Sequence, residues 1–351
     1  MLSFHHEVFQ EYNIYNLVLV RTNINGLLPK QLLRKDAIDQ QLPKLHIGVY
    51  SFSNDLLASL IEKSKHHIVF DAGKFLSEKK IVITDLEGDE SGFHILLSGI
   101  RSKLKKIGNW ITKVIPPILQ IKLLNSGATF LHAAALDIHG NGLILCAPSD
   151  VGKTTTAFLL TKLLPQSAKI LSDDLIIFAK GIIYSYPVDV NIHSNHIKIC
   201  QLKLGNKRKL HLKLHGILSY ICLSGRIRDF LGISKPPRIP VPINELFPYI
   251  QTKTKPEIVI ALKRGPRYSK EMSANDMARS IMTMGWLGAP FFKLVENKMI
   301  MKYAYTYDLD VLTLYQKMYN LYLDLLESSK CYEVSGTITT YCEDILRLLK
   351  K

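Results

Sequence analysis

Between Leu143 and Leu160 the chain reads LILCAPSDVGKTTTAFLL, with Gly152, Lys153 and Thr154 where an apolar run gives way to helical spacing. Successive backbone N–H groups in such a loop point into a concavity that suits phosphate oxygens. The helix N-terminus that follows adds further donors and a favourable dipole. The stretch Ser149, Asp150, Val151, Gly152, Lys153, Thr154 and Thr155 would cradle a polyphosphate. Lys153 would reach the terminal phosphates as a point charge, and the Thr154 hydroxyl would ligate Mg2+. The full pattern, G-x-x-x-x-G-K-[ST], has Ala147 in place of its first glycine. That exchange costs about 1 kcal/mol only if the backbone at 147 needs positive φ. Gly152, where a side chain would most obstruct phosphate, is intact. Asp150 adds an anion beside the expected phosphates.

Further along, KILSDDLIIF sets Asp173 and Asp174 inside an apolar run that reads as a strand. Neighbouring strand residues point to opposite faces, and leaving both carboxylates buried without partners would be costly. A metal ion or a reacting hydroxyl would offset that cost; capping of the next turn is the plainer alternative. His132, in FLHAAAL, is weak by itself, since a lone histidine at a strand start is commonly a structural hydrogen-bonder. Arg264 and Arg267, in LKRGPRYS, could bring a cation to a transferring phosphoryl group, and a basic turn in water explains them equally well. His211 and His215 have helical metal-site spacing but no acidic or cysteine companion, and His193 and His196 lack partners too. Neither zinc, a nucleophile elbow nor a nicotinamide cofactor is expected.

The elements around these residues alternate. The runs Thr129 to Leu136 and Leu143 to Cys146 flank a glycine-bearing turn and predict a hairpin. TTTAFLLTKLL has helical spacing, and GIIYSYPVDVNI and PEIVIALKRG add strands. Strand, loop, helix, strand predicts an α/β core over residues 116–270. Residues 1–115 read as a smaller β-rich domain. Residues 271–351 read as a helical C-terminal region, opened by a Ser273/Asp276 capping pair and carrying a tyrosine-rich stripe. Pro116 and Pro117 predict a break before an apolar helix ending near Gly127. KPPRIPVPINELFP reads as a proline-rich mobile connector.

The chain has 351 residues, enough for two or three structural units. No apolar run is long enough to predict a membrane span, and no signal peptide is expected. Five scattered cysteines suit reduced thiols in a cytoplasm. A formal charge of +15 is concentrated in two acid-free stretches. One holds Arg101, Lys103, Lys105, Lys106, Lys113 and Lys122; the other runs from Lys198 to Arg228. Such fields favour anionic partners, though a solvated lysine-rich surface accounts for either patch equally well.

FLHAAALDIHGNGLILCAPSDVGKTTTAFLL followed by KILSDDLIIF resembles the catalytic core of HPr kinase/phosphorylase and its kinase-like relatives, lasso-peptide kinases among them. The resemblance covers roughly residues 128–182 and rests on Leu-His, Gly-Lys-Thr and Asp-Asp in that order. It implies a P-loop kinase fold of the HPr kinase/PEP carboxykinase-like type. It also implies ATP and Mg2+ as cofactors, Asp173 as the base that accepts the hydroxyl proton, Asp174 and Thr154 on the metal, and His132 beside them. No counterpart of the stretch that accompanies phosphorylase activity is present, so kinase action alone is expected. The implied substrate is a peptide or protein hydroxyl, and the basic stretches would suit an acidic one. Homo-oligomers are an open expectation, and nucleic acid is not favoured. The alternative is a nucleotide-controlled module that binds peptide or nucleic acid with little or no transfer.

Overall fold

The computed structural model describes residues 3–4, 9–25, 27–33, 42–71, 79–97, 104–202, 205, 208, 210, 212, 214, 238–288 and 293–350. They form a mixed α/β protein with mixed sheets, divided into two compact units. One unit comprises residues 1–130, 177–180 and 285–324; the other comprises 131–176, 181–284 and 325–351. Arg101, Lys103, Lys203, Lys207, Lys209, Lys213, Arg226, Arg228, His211, His215 and Cys222 lie outside the described residues. No helix among the described residues is long and apolar enough to cross a membrane.

The first unit is built on a sheet ordered Gln10–Ile14, Val18–Thr22, Lys44–Ser51, Glu90–Leu97, Lys79–Thr84 and His67–Asp71. The helix Leu104–Asn125 runs through Pro116 and Pro117 without the expected break. Burial explains this: Val114, Ile115, Ile118 and Leu119 on either side are core residues, so packing offsets the backbone bonds that the prolines remove. Lys122, read from sequence as part of a basic field, is instead fully buried and donates to the Gly88 carbonyl. Burial lowers its pKa to about 8 against the opposing pull of Asp89, Glu87 and Asp85.

In the second unit, Ala133–Ile138 and Asn141–Cys146 form the expected hairpin, with Ala133 opposite Cys146. Ala168–Ser172 flanks it antiparallel, and Asn141–Cys146 runs parallel to Lys253–Arg264. Lys253–Arg264 pairs in turn with Lys330–Gly336, also parallel. Ala133–Ile138 and Asn141–Cys146 are buried almost continuously, as central strands covered on both faces are. Two helices, Lys153–Leu163 and Ile338–Leu348, pack against each other. Phe158 stacks on Phe247 with ring centroids 4.3 Å apart.

Two readings change here. The proline-rich stretch is not simply a connector: Arg238–Val241 is a strand paired antiparallel with Val190–His193, and Ile243–Leu246 is a short helix. Ile239, Val241 and Ile243 are buried, and their packing orders a segment whose prolines suggested otherwise. Pro240 sits at an exposed position of a two-stranded ribbon, where a missing N–H is tolerated. Likewise, KILSDDLIIF is not one strand. Ala168–Ser172 and Ile176–Ala179 are separate, and the aspartate pair occupies the bend between them.

Candidate functional site

The strand Asn141–Cys146 leads straight into the Gly-Lys-Thr loop and the loop into the helix Lys153–Leu163. Ala147 is buried in the core and is not among the residues with positive φ, so no glycine is needed there. Positive φ occurs instead at Asp150 (66°) and Gly152 (119°). Aspartate tolerates the left-handed region better than most residues. At Gly152 a Cβ would lie 2.8 Å from Ile338 Cγ1, so the glycine is required by both conformation and space. We expect Gly152→Ala to destabilise the protein by about 1–3 kcal/mol, measured by denaturant unfolding. Adding Ile338→Ala should restore the steric part only. A double variant no better than the single would refute the notch.

The polar side chains converge on the start of this helix. The Thr154 hydroxyl donates to Asp173 Oδ2 at 3.1 Å. Lys153 Nζ is 3.0 Å from His132 Nε2 and 3.2 Å from Asp174 Oδ1, and His132 Nδ1 is 3.5 Å from the same carboxylate oxygen. His132, Lys153, Thr154, Asp173 and Asp174 are therefore brought together from three segments. Thr155 is buried, whereas Ser149 and Asp150 are exposed.

The two aspartates differ sharply. Asp173 is 5% exposed, and its Oδ1 is buried without a hydrogen-bond partner among the described residues. Burial, then the neighbouring Asp174, pushes its pKa up to about 7, against Lys153 and Thr154. The Asp174 side chain is 52% exposed. Desolvation raises its pKa, but Lys153, His132 and Arg238 together outweigh that and hold it below the ordinary value. Burial, followed by the charge of Lys153, lowers His132 to about 4, so its imidazole is neutral at physiological pH.

The arginines take different positions. Arg267 is committed to Asp344 and Glu343, which ties the turn after Lys253–Arg264 to the C-terminal helix. Arg264 donates to the Asp150 carbonyl and so braces the loop itself. Arg238 stands within electrostatic reach of Asp174. Sequence reasoning missed Arg238, because nothing in a proline-rich run links it to an aspartate so distant along the chain. Ile338 was missed for the same reason. His193 and His196 stack edge to face at 5.2 Å.

Among the described residues no three or more His, Cys, Asp or Glu gather as a metal cage. One hydroxyl and one or two carboxylates are nonetheless what Mg2+ commonly uses when phosphates and water complete its shell. The orphaned Asp173 oxygen beside Thr154 fits that donor set. Neither the protein-family models nor the curated proteins contain a match to this chain.

Proposed function

We propose that this protein is an ATP- and Mg2+-dependent kinase of the HPr kinase-like, P-loop type that phosphorylates a hydroxyl on a peptide or protein. The observation that carries the reading is the gathering of Lys153, Thr154, Asp173, Asp174 and His132 at one helix N-terminus, beneath a loop with positive φ at Asp150 and Gly152. The resemblance of residues 128–182 to that kinase group supports it. Free, buried thiols at Cys146, Cys200, Cys331 and Cys342 suit action in the cytoplasm.

Thr154 and Asp173 would hold Mg2+, whose chemistry there is to neutralise charge on the phosphate oxygens. The loop amides and Lys153 bind and orient the terminal phosphates. The acceptor oxygen forms its bond to the terminal phosphorus as the bond to the bridging oxygen breaks, leaving a nucleoside diphosphate. The acceptor proton passes to a carboxylate. Asp174, being exposed and next to Lys153, is the better placed acceptor, while Asp173 is occupied with Thr154. This exchanges the roles that the resemblance implies for the two aspartates. His132 holds Asp174 and Lys153 in register, and being neutral it adds no second cation.

Transfer of label from ATP to hydroxyl-bearing peptides tests the reading, alongside nucleotide binding. Asp174→Asn should lose transfer by about 10²-fold or more while binding Mg2+-nucleotide nearly as well as wild type. Asp173→Asn should lose the Mg2+-dependence of nucleotide binding. The reverse pattern would restore the implied roles, and no transfer to any acceptor would reject the kinase assignment.

A further inference from the structure

The ribbon formed by Val190–His193 and Arg238–Val241 has two unlike faces. Val190, Ile192, Ile239 and Val241 are buried in the core of the second unit. Asn191, Arg238 and Pro240 are exposed, and His193 is half-buried. The register pairs His193 with Arg238 and Asn191 with Pro240, so all four stand on the outward face. Opposed residues on one face of an antiparallel pair have Cβ atoms roughly 5 Å apart, close enough to serve one small ligand. The outward face is thus an amide, an imidazole and a guanidinium beside one another, with no carboxylate among them.

Among the described residues the Arg238 guanidinium has neither hydrogen bond nor ion pair, whereas Arg208 is held by Glu245, Arg264 by the loop and Arg267 by Asp344. His193, opposite Arg238, caps the helix Ser194–Ile199: its side chain accepts from the His196 backbone and its own backbone N–H donates to His196 Nδ1, which fixes the imidazole beside Arg238. An outward guanidinium with no hydrogen bond or ion pair among the described residues, set opposite an imidazole held in place, is a site that an oxyanion would complete. Its position is the second fact. Arg238 lies within electrostatic reach of Asp174, the exposed carboxylate of the cluster. The acceptor must approach from that open side.

We infer that the outward face of this ribbon, with Arg238 and His193 as its anchors, binds an anionic group of the acceptor, a carboxylate or a phosphate, and so selects an acidic or already phosphorylated substrate. The inference rests on the kinase reading for the word acceptor, but its binding chemistry can be read separately. Arg238 is a specificity-determining residue here, and a planar guanidinium suits a bidentate oxyanion where an ammonium does not.

Fluorescence anisotropy with three serine peptides tests it: one flanked by aspartates, one by phosphoserine and one by neutral residues. The wild-type chain should bind both anionic peptides at least tenfold more tightly than the neutral one, less so at high salt. Arg238→Gln should remove that preference, and Arg238→Lys should restore only part of it. Because Arg238 is exposed, both variants should melt within a few degrees of wild type. Preference for the phosphoserine peptide over the aspartate one would assign a phosphate, and equal binding a carboxylate, both within the inference. An undiminished preference in Arg238→Gln would overturn it, as would no preference in wild type. Undiminished nucleotide binding and transfer in Lys153→Met would instead overturn the kinase reading and leave this surface standing.

Discussion

Replacing Lys153 with methionine is expected to abolish phosphoryl transfer, by on the order of 10²–10³-fold at least, and to weaken nucleotide binding. The methionine keeps the packing of the buried stem and removes only the charge, so lost activity cannot be ascribed to a cavity. Lys153 is 6% exposed, and its ammonium contacts His132 and Asp174. The half-exposed Asp174 can be resolvated by water, so the melting temperature should move only modestly. A readout independent of activity is available at His132. Burial is the larger cause of its low pKa, about 4, and Lys153 is the second. Removing the ammonium should therefore move the His132 titration upward, followed by NMR of the imidazole protons. A histidine that still titrates near 4 in the variant, or unchanged transfer, would show that the two side chains do not share a site.

Asp173→Asn is expected to reshape stability against pH. Asp173 has a native pKa of about 7 against an ordinary value of 3.8. Between those values the native state holds a proton that the unfolded chain has released, so folding stability falls as pH rises through that window. Above about pH 7 the native carboxylate is ionised and the full cost is present. Each pK unit corresponds to about 1.4 kcal/mol, which sets an upper bound of about 4 kcal/mol at this buried position. The variant has no such charge. Relative to wild type it should gain the full amount at pH 8, only part of it near pH 5, and nothing near pH 3, where the carboxyl is neutral in both the native and the unfolded chain. Chemical denaturation at the three values measures this, and parallel profiles for the two proteins would exclude a buried, uncompensated carboxylate. Adding Mg2+ and nucleotide should reduce the difference, since a cation at Asp173 favours its ionised form.

The local grammar of the site is legible in the chain. A buried strand, Gly-Lys-Thr and an apolar helix follow one another within a few residues, and short-range spacing reports short-range structure. The hairpin of Ala133–Ile138 and Asn141–Cys146 and the capping pair at Ser273 and Asp276 belong to the same class. Ala147 shows the limit of motif reading, because whether its missing glycine matters depends on φ, which the letters do not give. The proline-rich segment shows another. Its prolines argue for a connector, yet three apolar residues bury themselves and make it a strand and a short helix.

By itself, the sequence determined which residue types could meet phosphate and metal: the lysine, the threonine, the glycine at 152 and the two acids. Only the tertiary structure decided how they divide, with Asp173 buried against Thr154 and Asp174 exposed beside Lys153 and His132. It alone set Ile338 against Gly152, committed Arg267 to Asp344 and brought Arg238 toward Asp174. The physical reason is range. Backbone preference and hydrophobic periodicity act over a few residues, whereas desolvation and charge pairing depend on segments that only chain folding makes neighbours.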